Sequence, residues 1–203
     1  GVQDVCSSDL KADEKTVVID DFATANDPKL GAKSNPEHAS NSLTWGLDNW
    51  IYAANHTTRF RNTDGIWKRE PTIFRGQWGL SQDDFGRLYY NSNSDPLRAD
   101  AIPSKYLARN PNLKNPSGAN IQIERDLRVY SGRVNPGVNR GYQPKQLTPE
   151  GKLATFTGAC GPVVYRGDQF PSEFVGNAFF CEPTANLIRR PADPDESFPS
   201  PGC

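Results

Sequence analysis

Leu43-Thr44-Trp45-Gly46-Leu47-Asp48-Asn49-Trp50-Ile51-Tyr52-Ala53-Ala54-Asn55 is the stretch that decides how the chain reads. An apolar run breaks at Gly46, Asp48 and Asn49 and resumes as an aliphatic–aromatic pair. Asn and Asp tolerate left-handed backbone, and Gly supplies it without a Cβ clash, so the break reads as a turn between two strands. The pattern returns in Trp78-Gly79-Leu80-Ser81-Gln82-Asp83-Asp84-Phe85-Gly86-Arg87-Leu88-Tyr89-Tyr90-Asn91. It returns again in Gly161-Pro162-Val163-Val164-Tyr165, with a longer polar excursion before Gly176-Asn177-Ala178-Phe179-Phe180-Cys181. Tyr52 and Tyr89 lie 37 positions apart, close to the roughly 40-residue period of propeller blades.

Outward from these units the signals stay short and alternating, with almost no helical period. Asp64-Gly65, between Arg59-Phe60-Arg61 and Ile66-Trp67-Lys68, predicts a β-hairpin. Lys105 to Glu150 is rich in Asn, Pro and Gly and too long for a plain connection, so it is expected to be a surface insertion or an ordered loop. The expectation is an all-β fold: about three blades of a β-propeller over residues 11–190, with a long irregular insertion. A generic β-sandwich also uses short strands and turns, but the repeated aromatic strand favours the propeller. Trp45, Trp50 and Trp78 are expected between neighbouring sheets.

Composition narrows the classes of function. Lys and Arg number 23 and Asp and Glu 24, so bulk charge recruits neither nucleic acid nor an anionic membrane. No apolar run approaches the roughly 20 residues of a membrane-spanning helix. The 17 Gly and 17 Pro fit a loop-rich β protein. Gly1 to Leu10 resembles the translated end of a sequencing adapter and is read as an artefact outside the fold, and residues 191–203 as an irregular tail. Cys6 and Cys203 fall in those ends, which leaves Cys160 and Cys181 on neighbouring strands of a hairpin, either bridged or as two packed thiols. The spacing of the four cysteines offers no zinc ribbon and no haem-attachment motif. Phosphate-cradling loops, dinucleotide fingerprints and a Gly-x-Ser-x-Gly elbow are also missing from the sequence. Asn55-His56-Thr57 fits a glycosylation sequon, a match frequent by chance.

Trp45-Gly46-Leu47-Asp48-Asn49-Trp50-Ile51-Tyr52, Arg75-Gly76-Gln77-Trp78-Gly79-Leu80, Asn91-Ser92-Asn93-Ser94-Asp95-Pro96-Leu97-Arg98 and Gly158-Ala159-Cys160-Gly161-Pro162 carry a family resemblance. So do Tyr165-Arg166-Gly167-Asp168 and Cys181-Glu182-Pro183-Thr184-Ala185-Asn186-Leu187. These residues resemble the membrane-bound dehydrogenase-type β-propellers of planctomycetes and related bacteria, which are similar to soluble quinoprotein sugar dehydrogenases of the glucose and sorbosone types. The resemblance implies a six-bladed propeller in a periplasmic or secreted protein, often followed by helical repeats and a cytochrome c domain.

Each aromatic strand runs out into a polar loop. Asn55, His56 and Arg59 follow Tyr52. Asn91, Asn93, Asp95 and Arg98 follow Tyr89. Glu182, Asn186 and Arg189 follow Phe179. Pseudo-symmetry would gather these tips at one end of a shared channel, the usual pattern of a binding site. By analogy with the quinoproteins, His56 is the candidate base that takes a hydroxyl proton as hydride leaves. Arg59, Arg75 and Arg98 are candidate clamps for the carboxylates of pyrroloquinoline quinone (PQQ), because guanidinium offers planar paired donors. Asn91, Asn93 and Asn186 complete the candidate cofactor set. Asp95 and Glu182 offer hard oxygen ligands suited to calcium. Three functions follow: a quinoprotein-like oxidoreductase acting on a sugar or other alcohol and passing electrons to a cytochrome; a non-catalytic exported scaffold binding carbohydrate or protein; and a calcium-dependent lactonase-like hydrolase.

Overall fold

The computed structural model describes residues 16–20, 39–107, 109–110, 112, 117–132, 134 and 143–191. Gly1 to Leu10, residues 192–203, His38, Cys6 and Cys203 lie outside them. Within the described residues the fold is all-β, built from three antiparallel sheets, none of them closed. The first is a meander of β1 (Asn41–Trp45), β2 (Ile51–Ala54), β3 (Thr58–Thr63) and β4 (Ile66–Pro71). The second is a meander of β5 (Leu80–Gln82), β6 (Leu88–Ser92), β7 (Asp95–Ala99) and β8 (Ile121–Gln122). The third holds β9 (Cys160–Val164), β10 (Ala178–Glu182) and β11 (Leu187–Arg189). A single helical turn, α1 (Ser104–Leu107), follows β7.

Turn chemistry places the strand ends. Asp64 and Gly65 take φ of 52° and 81°, the left-handed pair that a two-residue hairpin needs to match strand twist. The hairpin forms as the sequence predicts, with Thr63 opposite Ile66. In the long connection between β7 and β9, the described residues add β8 and the core side chains Ile123, Val129, Leu153 and Phe156. Part of that insertion is therefore core cover, which its polar composition hid.

The first strands of the three sheets lie side by side and run the same way. The Asn41 Nδ2 donates to the Gln77 carbonyl at 2.7 Å, and the Thr44 hydroxyl to that of Leu80 at 3.2 Å. Further along, the Gly161 amide donates to the Trp78 carbonyl at 2.7 Å and the Val164 amide to the Ser81 hydroxyl at 3.1 Å. The second sheet is sandwiched between the others. Leu88 and Tyr90 pack with Trp50, Tyr52 and Ala54 of the first sheet. Tyr89, Leu97 and Ala99 pack with Val164, Ala178 and Phe180 of the third. Burial on both faces makes all four residues from Leu88 to Asn91 buried, so the strand reads as a continuous rather than alternating run.

One packing expectation is corrected. Trp50 is buried, but Trp45 is 64% exposed. Side chains alternate along a strand. Thr44 points at the second sheet, so its neighbour Trp45 points away from it.

Candidate functional site

The second-to-third-strand turn of each sheet lies at one common end, because the sheets are meanders whose first strands run together. The residues that follow the second strands stand at that end and act as latches on the chain. The Asn55 amide donates to the Arg75 and Gly76 carbonyls, each at 3.1 Å, and its own carbonyl accepts from the Ser40 hydroxyl. The Asn91 carbonyl accepts the Gln77 amide at 2.7 Å. Gly76, at φ 53°, passes so close that a Cβ there would stand 2.0 Å from the Asn91 oxygen. In the third sheet the Glu182 carboxylate does the same work: one oxygen accepts the Thr157 and Gly158 amides at 2.9 Å, and the other the Thr184 amide at 3.1 Å. The Asn93 carbonyl accepts the Ala159 amide at 3.0 Å, and Asn186 caps the turn Pro183–Ala185 in left-handed backbone at φ 58°. The lead-in to each sheet is thus stitched to the end of that sheet's second strand.

His56 sits inside its own turn, 1% exposed. Its Nδ1 accepts the Thr58 amide at 3.0 Å, and its ring meets Phe60 edge-on at 5.3 Å. A base needs a path to a substrate hydroxyl, and this ring is enclosed. Asp95 is paired with Arg98, whose Nε and Nη2 also donate to the Asn120 side chain and carbonyl at 2.7 Å. Arg98 holds one Asp95 oxygen and the other is buried without a hydrogen-bond partner among the described residues, while both Glu182 oxygens are spent on backbone amides. Among the described residues no group of three or more His, Cys, Asp or Glu is placed to hold a metal ion.

Two of the three candidate arginines meet around Tyr52. Arg59 donates to the Tyr52 hydroxyl at 3.2 Å, pairs with Glu70 at 2.5 Å and lies 3.5 Å from Asp48. Burial would pull its pKa down, but the bonds to Glu70 and Tyr52 outweigh that and hold it up. The Arg75 guanidinium stacks 4.9 Å from the Tyr52 ring centre and is 2% exposed. It donates to Asp100 at 2.8 Å, Thr72 at 2.9 Å and Ser104 at 3.0 Å. Asp100 also accepts the Tyr90 hydroxyl at 2.7 Å and the Asn120 amide at 2.9 Å. A buried ion pair needs such added bonds to offset desolvation. The Tyr90 phenol is pushed well up, first by burial and then by the Asp100 charge. Quinone carboxylates require arginine donors that are open and convergent. Arg59 and Arg75 are committed to carboxylates, and Arg98 is bound on the β7 side of the second sheet, so the residues present do not fit that group.

Beside this buried pair lies a groove of about 210 Å³ between the first two sheets. The β1–β2 turn (Leu47, Asp48), the β5–β6 turn (Phe85) and α1 (Lys105, Tyr106) form its rim, with Tyr52 and Arg75 deeper in. This rim stands at the sheet ends opposite the latches. Asp48 accepts the Tyr52 hydroxyl at 2.8 Å and lies 4.0 Å from the Lys105 amine. Burial first, with Asp48 adding to it, raises the Tyr52 pKa despite the bond from Arg59. Phe85 is 81% exposed and Tyr106 half-exposed. Sequence reasoning picked out Arg75 here and missed the rest, since Asp48, Phe85 and Lys105 come from three separate turns.

Over residues 3–196 the chain matches the family described as a Domain of unknown function (DUF7133), and it belongs to that family. No curated protein and no solved structure matches it.

Proposed function

We propose that the three sheets are consecutive blades of a β-propeller, and that the protein is a non-catalytic binding scaffold for carbohydrate with the groove at its first blade junction as the contact site. Four-stranded meanders whose first strands stand side by side are the packing unit of a propeller. The observation that carries the binding reading is the groove rim. A carboxylate, a phenol and an amine stand within reach of two exposed rings. Sugars present hydroxyls that such groups bond and C–H faces that pack on aromatic rings. The resemblance to exported propellers supports a periplasmic or secreted setting.

A second reading keeps the quinoprotein-like oxidoreductase, with PQQ and calcium as cofactors and a cytochrome as electron acceptor. The resemblance to quinoprotein-like propellers favours it; the enclosed His56 and the committed arginines weigh against it. One experiment separates the two: titrate the full chain with a panel of mono- and oligosaccharides, following the fluorescence of its four tryptophans, and run dye-linked oxidation of the same panel with PQQ and calcium added. Saccharide binding that weakens tenfold or more in Phe85→Ala and Asp48→Ala, without dye reduction, supports the scaffold. No binding by any saccharide overturns it. Quinone-dependent dye reduction moves the function to the oxidoreductase.

A further inference from the structure

We propose that Cys160 and Cys181 are an oxidisable pair, closing a cross-strand disulfide that clasps β9 to β10 when a disulfide oxidant is present. The register carries this inference. Cys181 stands directly opposite Cys160 in the antiparallel ladder. Directly opposed residues in such a ladder have Cα atoms about 4.5–5.5 Å apart, inside the window of about 4.4–6.8 Å that a disulfide spans. Opposed residues also share a face of the sheet.

The sequence by itself puts the pair out of step. Phe179 pairs with Val163, so a regular ladder would set Cys181 opposite Gly161. A bulge between Phe179 and Cys181 inserts one residue in β9 and brings Cys160 across from Cys181 instead. Gly161 takes φ 59° at that point, where open space surrounds it.

Neither cysteine is fully buried; both are half-buried thiols. Along β10, Ala178, Phe180 and Glu182 are buried against the second sheet while Phe179 and Cys181 are only half-buried, so Cys181 lies on the outer face. Burial pushes the Cys160 thiol up, and the nearby Cys181 and Glu182 add to it. The thiolate is the reacting form, so exchange should quicken as pH rises.

The chemistry balances with oxidised glutathione as oxidant. One cysteine thiolate attacks a glutathione sulfur, breaking its S–S bond and releasing one glutathione thiolate. The second cysteine, deprotonated to solvent, then attacks the protein-bound sulfur and releases the other. Two protein thiols lose two electrons and two protons, and one oxidised glutathione becomes two reduced molecules.

The test uses the full chain with Cys6→Ser and Cys203→Ser, so that only this pair remains. Folded protein is incubated with oxidised glutathione at pH 8.5, then alkylated, digested and mapped by mass spectrometry. Expected is a cross-linked peptide joining Cys160 to Cys181, 2 Da lighter than its two parts and reversed by dithiothreitol. The oxidised protein should melt roughly 5–10 °C above the reduced one. Single variants Cys160→Ser and Cys181→Ser should instead carry one stable glutathione each, showing that both sulfurs are reached. Stable glutathione adducts on both cysteines of the parent, with no cross-linked peptide, would overturn the proposal, as would protection of both thiols from glutathione.

Discussion

The two ends of the sheets carry comparable polar chemistry and use it differently. At the second-to-third-strand end, the main chain of Asn55 and Asn91 and the carboxylate of Glu182 bond the lead-in segments that begin each sheet, while the buried side-chain amide of Asn91 has no hydrogen-bond partner among the described residues. At the other end, Asp48, Lys105 and Tyr106 stand on a rim beside Phe85, over a floor that is already satisfied. Polar residues after an aromatic strand are thus no guide to a site by themselves. What separates a latch from a contact surface is exposure: Asn55, Asn91 and Glu182 are enclosed, whereas Phe85 and Tyr106 stand in solvent. An enclosed group meets no ligand, whereas one on a rim can.

Substitutions at the two ends should therefore fail in different ways. Gly76→Ala should have the largest effect, because a methyl group would meet the Asn91 carbonyl in a backbone conformation that disfavours a Cβ. A cost of about 3–5 kcal/mol is expected, read as a drop in urea midpoint or loss of soluble protein; a variant as stable as the parent would break the latch description. Glu182→Ala orphans three amides and should cost about 3 kcal/mol, with Glu182→Gln losing less, since one amide oxygen can still accept. A Glu182→Gln variant as stable as the parent would show that side-chain volume, rather than the bonds, holds the third sheet's lead-in.

The floor of the groove predicts a pH effect. Tyr90 titrates higher in the folded chain than its ordinary value of 10.0. A raised pKa favours the protonated, folded state, so its stability contribution is complete below pH 10 and is lost progressively as pH rises above it. Urea midpoints should fall above pH 10 in the parent and fall less steeply in Tyr90→Phe. The smallest effects belong to the rim: Lys105→Ala and Phe85→Ala should each shift stability by less than about 0.5 kcal/mol. Their signature is weakened saccharide binding in a fold that melts like the parent. If they unfold the chain as readily as the latch variants, the contrast between the ends is lost.

Much of the fold was legible because it is local. The Asp64-Gly65 hairpin and the aromatic strands each follow from turn chemistry within a few residues, whereas the opposition of Cys160 and Cys181 depends on a bulge that the spacing did not show. The orientation of Trp45 was less so, because alternation says only that Thr44 and Trp45 face opposite ways; contact with the second sheet decides which one is covered. The groove was hidden for a related reason. Asp100 meets Arg75 across 25 positions and Ser104 meets it across 29, with no motif linking them. His56 was legible as a residue type but not as a role, since a histidine accepting its own turn's amide has the same sequence signature as one facing a cleft.

The spacing of the inter-sheet contacts also bears on how the chain assembles. Thr44 reaches Leu80 across 36 positions, whereas Ser81 reaches Val164 across 83. Loop closure grows as the logarithm of length, so docking the third sheet carries an entropic handicap of about 0.7 kcal/mol relative to the first junction. The amino-terminal pair should therefore zip together early and offer a template on which the later strands condense, an order that pulsed hydrogen exchange would record as earlier protection at Tyr52 and Tyr90 than at Phe180.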